Sequence, residues 1–226
     1  MIDTVSLLDV LALVFFLAVW LGYITLADRG TLGGTNMANV MSAYRLRWMR
    51  VMLKRENRMV DSSILGNLMN GTAFFASSSI LLIGGLFALL GASEEAVAVL
   101  ADLPFLEAPS RGLWELKVLV LVVIFVYAFF KFAWAYRLFN YCSILVGAVP
   151  LEFEDHKDEE KTAVRIARIN HLAAQHFNNG LRAYFFSLAT LGWFLHPILF
   201  ILSSLWVASV LYRREFRSKS LKTVAE

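Results

Sequence analysis

The residues in this sequence that could do chemistry are few, and they gather where apolar blocks meet charged segments. Asp61, Asn67, Asn70, Lys131, Arg137, Asn140, Asn178, Asn179 and Arg182 form one candidate set. A carboxylate, amides and cations near one membrane face can line a polar cavity for an anion or a phospholipid headgroup. Asp61 is expected within salt-bridge reach of Arg137 or Arg182, because pairing stabilises a carboxylate beside buried cations. A second set is Arg47, Arg50, Lys54 and Arg58. Steps of three and four bring these cations onto one side of a helix from about residue 36 to 58. Met37, Met41, Tyr44, Trp48, Val51 and Met52 occupy the other side. Such a helix suits the headgroup layer, with its cations on anionic phospholipid of the inner leaflet. The rival arrangement packs the apolar side on the charged segment 152–182.

Other chemistry finds little support. The single cysteine, Cys142, excludes an intrachain disulfide and a cysteine-based zinc site. His171 and His176 are five residues apart, about 140° around a helix, so they do not share a face as joint ligands. His196 precedes Pro197 in an apolar block without a histidine partner at matching depth, and His156 sits in an acidic helix start. No metal or cofactor is assigned. No nucleophile triad, phosphate loop or dinucleotide fingerprint stands in a suitable context, and no reaction is named. The basic stripe has an apolar partner face, which points to lipid rather than nucleic acid.

The elements that position these residues are membrane spans. The 226-residue chain is 58% hydrophobic and 17% charged, with a mean hydropathy of +0.62, against about 45–50% apolar for ordinary soluble domains. The apolar residues lie in blocks, and four spans are expected at about 5–27, 64–90, 113–141 and 183–212. The result is a single all-α integral membrane domain over 1–226, a polytopic bundle with cytoplasmic amphipathic extensions. The N-terminus lacks the positive region of a cleaved signal, so the first block is read as retained. On span two, Ser63, Asn67, Asn70, Phe74, Ser77, Leu81 and Gly84 share a small-and-polar face of the kind that packs helices in lipid. On span three, Tyr127, Phe130, Trp134, Arg137 and Tyr141 form an aromatic stripe, read as packing plus an interfacial anchor.

Lys and Arg are rich in 28–63 and 150–182 and nearly absent from 91–112, which places the N-terminus outside and the two charged segments inside a bacterial inner membrane. Four crossings would leave the basic tail, Arg213 to Lys222, outside, against the rule. The alternative is that the block around His196-Pro197 folds back; crossing is the reading taken. A short match between Asn70–Ser77 and Asn179–Ser187 hints at a parallel repeat, with chance similarity between apolar helices as the competing explanation.

Four segments carry a family resemblance: Arg55-Glu56-Asn57-Arg58 with Asp61; Phe132-Ala133-Trp134-Ala135-Tyr136-Arg137-Leu138-Phe139-Asn140-Tyr141; Phe177-Asn178-Asn179-Gly180-Leu181-Arg182-Ala183-Tyr184-Phe185-Phe186; and Tyr212-Arg213-Arg214-Glu215-Phe216. They resemble the domain-of-unknown-function 599 family of small multi-span membrane proteins, over nearly the whole chain. The resemblance implies a membrane protein with no assigned reaction, and it directs attention to Asp61, Arg137, Asn140, Asn179 and Arg182. The expected function is an interaction or accessory protein, a scaffold or subunit with a membrane-protein partner or a second copy. The alternative is a small transporter or a lipid- or anion-binding protein with a cytoplasm-facing polar cavity.

Overall fold

The computed structural model describes residues 5–28, 36–101 and 110–225. Gly30, Gly33 and Gly34 of the first polar stretch, and Asp102, Pro104, Glu107 and Pro109 of the acidic one, lie outside the described residues. Within these, the chain forms α1 (Leu7–Asp28), α2 (Met37–Leu53), α3 (Met59–Gly91), α4 (Ser93–Ala101), α5 (Arg111–Gly147), α6 (His156–Leu195), α7 (Pro197–Phe216) and α8 (Lys219–Ala225). Local chemistry sets several starts. Asn36 Oδ1 accepts from Asn39 N–H at 2.7 Å, Ser110 Oγ from Leu113 N–H at 3.3 Å, and Asp155 Oδ1 from Lys157 N–H at 3.0 Å; each satisfies an orphan donor of a first turn.

α1, α3, α5 and the stretch from Pro197 are long and apolar enough to cross a membrane. α3, α5 and α6 have 33, 37 and 40 residues, roughly 50–60 Å at 1.5 Å per residue. Because a hydrocarbon core is roughly 30 Å thick, these helices outrun the apolar bundle. Two cores follow. One joins α1, α5, α6 and α7 through Phe16, Trp20, Phe132, Phe186, Trp193 and Phe200. The other lies where α2 packs on the far halves of α5 and α6, around Met49, Met52, Leu65, Cys142, Val146 and Ile166.

The block 183–212 is not one helix. α6 ends at Leu195, His196 is extended (φ −161°, ψ 141°), and Pro197 opens α7. The two helices then run antiparallel: Ser203 Oγ donates to the Ala189 carbonyl at 2.8 Å, and Arg182 meets Glu215. Pro197 has no N–H, so the carbonyl of Trp193 loses its helical donor. Lys117 Nζ replaces it at 2.8 Å. Gly192 allows the close approach, since a Cβ there would lie 3.0 Å from the Leu199 carbonyl oxygen. Gly180 does the same for α5, where a Cβ would meet the buried Phe132 ring at 2.6 Å.

The helix expected over 36–58 stops at Leu53, and Arg58 stands before α3, where Nη1 donates to the Val149 carbonyl at 3.1 Å. Arg58 is thus not on the face of Arg47 and Arg50. The buried side of α2 is Met49, Met52 and Leu53, while Tyr44 and Val51 are exposed. The polar face expected to pack α3 also points away: Asn67, Asn70, Ser77 and Gly84 are exposed, and Asp61, Leu65, Thr72, Ser79 and Leu86 are buried instead. Hydropathy patterns locate an apolar face, but not which neighbour arrives to cover it.

Candidate functional site

Polar groups collect at two ends of the apolar bundle. At the end where α1 finishes, Arg182 of α6 is buried (5% exposed). Its Nε and Nη2 reach Glu215 Oε1 and Oε2 of α7, both at 2.9 Å, and Nη1 reaches Asp28 Oδ1 of α1 at 2.7 Å. Asn179, one turn earlier on α6, accepts from the same Nη1 at 2.8 Å and donates to Asp28 Oδ2 at 2.9 Å. The Tyr23 ring lies 5.7 Å from the guanidinium. One cation thereby ties three helices. Fork-to-fork geometry and the added amide are what allow a buried guanidinium to persist.

Beside this cluster lies a cavity of about 290 Å³ between α2, α6 and α7. Its polar wall includes Arg45, His171, Gln175, Asn178, Arg182 and Arg214, and Glu215 is the carboxylate on it. Its apolar wall is Met37, Met41, Leu181, Phe185 and Leu211. Arg182 is already saturated by carboxylates. Arg45 and Arg214 make no ion pair among the described residues; the Arg214 guanidinium rests over the Phe185 ring at 5.8 Å. Burial lowers the Arg45 pKa, with no carboxylate to offset the loss of water. Burial, and then the Arg45 charge, also lower that of His171, whose Nδ1 is buried without a hydrogen-bond partner among the described residues. The positive end of the α2 backbone points to the same space, since Asn36, Met37 and Ala38 line it.

The structure separates the other candidates. Asp61 is fully buried and reaches neither Arg137 nor Arg182. Its Oδ1 accepts from Trp48 Nε1 at 2.6 Å and Arg55 Nη1 at 2.7 Å. Six residues of chain separate Arg55 from Asp61, so a cation near in sequence is the partner rather than one across the bundle. Arg137 lies on the outside of α5, with Nε on the Tyr141 hydroxyl at 2.6 Å and its guanidinium 5.9 Å from the Trp134 ring. Lys131 sits 5.2 Å from the Tyr127 ring. Asn67, Asn70 and Asn140 are exposed. Asn178, Asn179 and Arg182 alone of the expected set converge. Arg47, Arg50 and Lys54 are exposed, and Arg50 pairs with Glu160 of α6, Nε to Oε2 at 2.9 Å.

The other end of the bundle holds charges that hydropathy reading passed over. Asp9 is buried (4% exposed), accepting from Ser6 Oγ at 2.6 Å and Trp193 Nε1 at 2.7 Å. Lys117 is equally buried on the Trp193 carbonyl. Their signal was present: each is a charge inside an apolar block, where a charge needs a partner. Asp28 and Glu215 carried no such signal, because a charge at the end of a span is ordinary. Among the described residues no three His, Cys, Asp or Glu side chains gather as a metal site requires.

No curated protein and no solved structure matches the chain. A family model described as "Protein of unknown function, DUF599" matches residues 11–220. That stretch includes all four resembling segments and the Asp28, Asn179, Arg182 and Glu215 cluster, so the chain belongs to the DUF599 family of proteins of unknown function.

Proposed function

We propose that this membrane protein is a binding protein, and that it holds an anion in the cavity between α2, α6 and α7. The observation that carries the reading is that Arg45 and Arg214 line the cavity without a carboxylate partner among the described residues. Arg45 is partly withdrawn from water, which costs free energy unless an anion faces it, and the exposed Arg214 adds a second cation on the same wall. With Arg182 the wall carries three guanidiniums, and Glu215 and Asp28 together supply two carboxylates, so one positive charge is left for an anionic ligand to balance.

The topology that goes with this has five crossings: α1, α3, α5, the second half of α6, and α7. What supports it is charge. α2, the α6 start and the tail carry Arg47, Lys54, Lys157, Lys161, Arg165, Arg168, Arg213, Arg217 and Lys222. Folding back at His196 brings the tail beside α2, where Tyr44 Oη meets the Val224 carbonyl at 3.3 Å. All these cations then lie on the cytoplasmic side, with the N-terminus outside. The test of binding is thermal unfolding of detergent-purified protein with added phosphate. The melting temperature should rise for wild type and stay flat for Arg45→Gln/Arg214→Gln. Equal rises would remove the reading.

An accessory or scaffold role is the second reading. Asn67, Asn70 and Ser77 of α3 point outward with no other part of the described chain bonded to them, and polar side chains at membrane depth favour helix association. A monodisperse monomer in native-membrane discs, without a stoichiometric protein partner, would count against it.

A further inference from the structure

We propose that the occupant of the cavity is a membrane phospholipid, its anionic phosphate seated between Arg45 and Arg214 and its acyl chains lying along the outer face of α6. This rests on the binding reading above and names its ligand class.

The cavity is two-sided in a way that suits an amphiphile. Its cationic wall comes from α2 and the start of the α7 exit, Arg45 and Arg214, with the His171 and Asn178 side chains alongside. Its apolar wall includes Leu181 and Phe185, which are four residues apart and so share one face of α6. That face continues past the cavity. Leu188 follows at the next step of three and is 58% exposed, and Leu195 near the helix end is 54% exposed. Leu188 and Leu195 belong to the half of α6 that accompanies α1, α5 and α7 in the apolar bundle. A free inorganic anion would use the cations and leave the apolar wall without a role. A phospholipid uses both: phosphate on guanidinium, chain on the Leu181–Phe185–Leu188 stripe. The position fits as well, because Asp28, Arg182 and Glu215 place the cavity where α1 leaves the apolar core. The cations on the outer side of α2 differ. Arg50 is engaged with Glu160, and neither Arg50 nor Arg47 lines the cavity, so neither faces a ligand there.

The experiment is native mass spectrometry of the full chain released from discs of phosphatidylcholine mixed with phosphatidylglycerol, with inorganic phosphate binding measured in parallel in detergent. Wild type should retain one phosphatidylglycerol in preference to phosphatidylcholine. Arg45→Gln/Arg214→Gln should lower that retention roughly tenfold or more, at on the order of 1 kcal/mol per cation near the membrane surface. Leu188→Asn, at an exposed position on the stripe, should lower lipid retention and leave phosphate binding unchanged. Arg47→Gln should leave both unchanged. Retention that falls equally for Arg47→Gln would mean a diffuse surface effect and overturn the assignment. Arginine-dependent phosphate binding without any lipid preference would overturn the lipid and keep the anion pocket. Absence of both phosphate binding and lipid preference in wild type would end both readings.

Discussion

Arg182 and Glu215, thirty-three residues apart in sequence, meet fork to fork with both contacts at 2.9 Å. The pair closes the open end of the hairpin that His196 and Pro197 begin, and Asp28 draws α1 into it through the same guanidinium. Removing Arg182 would leave Glu215 and the more exposed Asp28 facing each other without a cation. Arg182→Met should therefore cost about 1.5–3 kcal/mol, read as a clear drop in melting temperature in detergent. Arg182→Met/Glu215→Met, which removes charges from both sides, should recover a good part of the loss. A single variant as stable as wild type would show that the cluster does not hold the helices.

Sidedness is directly measurable. In a Cys142→Ser background, single cysteines at the exposed positions Ala43, Lys161 and Lys222 should label together from the cytoplasmic side. A cysteine at the exposed Ala98 in α4 should label from the other side. Labelling of Lys222→Cys alongside Ala98→Cys would restore a four-crossing chain and reject the hairpin.

Gly192 offers a local test of the same hairpin. A methyl group there would press on the Leu199 carbonyl and on Ser203 Oγ, which already binds the Ala189 carbonyl. Gly192→Ala should cost about 1–3 kcal/mol by overpacking. Gly71→Ala, where nothing lies near the added carbon, should be neutral or slightly stabilising through helix propensity. Equal effects from the two substitutions would mean that α6 and α7 do not approach closely.

The cavity also carries a pH signature. His171 is held below its ordinary pKa of 6.5 by burial and then by Arg45; Arg182, Arg214 and Glu215 face the same space. With the folded pKa depressed, the unfolded chain binds more protons just below pH 6.5. Stability is then full above that value and declines as pH falls through the window toward the folded pKa. A bound anion offsets the new positive charge, so the decline should shrink when phosphate is present. Unfolding curves from pH 7.5 to 5, compared for wild type and His171→Gln, check both statements. An acid slope unchanged by the substitution would clear His171 of the role.

Much of the fold was legible because hydropathy blocks report burial in lipid directly. α1, α3 and α5 fall where the first three apolar blocks stand. α6 was not legible as one element: its first half is charged and its second half apolar, so a change of composition inside a single 40-residue helix reads like a boundary. The site was harder to read. Arg182, Asn178 and Asn179 stood out as polar residues at a span entrance, yet their partners did not. Asp28 lies 154 positions from Arg182, and no local pattern encodes a contact of that separation. The expected Asp61 partners failed for the opposite reason, since Arg55 was close in sequence and had been read only as part of a motif.

The arrangement of α1 has a consequence for biosynthesis. Its Asp9 depends on Trp193, 184 residues later, and its Asp28 on Asn179 and Arg182. The helix it packs on most, α7, is made long after it. The first span must therefore wait in the bilayer with Asp9 held only by Ser6 until its Trp193 donor is made. Closing contacts of such long range comes late and is entropically slow. Nascent chains halted before Trp193 should be the ones that quality-control proteases recognise, because an unpartnered acidic residue at membrane depth is the mark of an orphan helix.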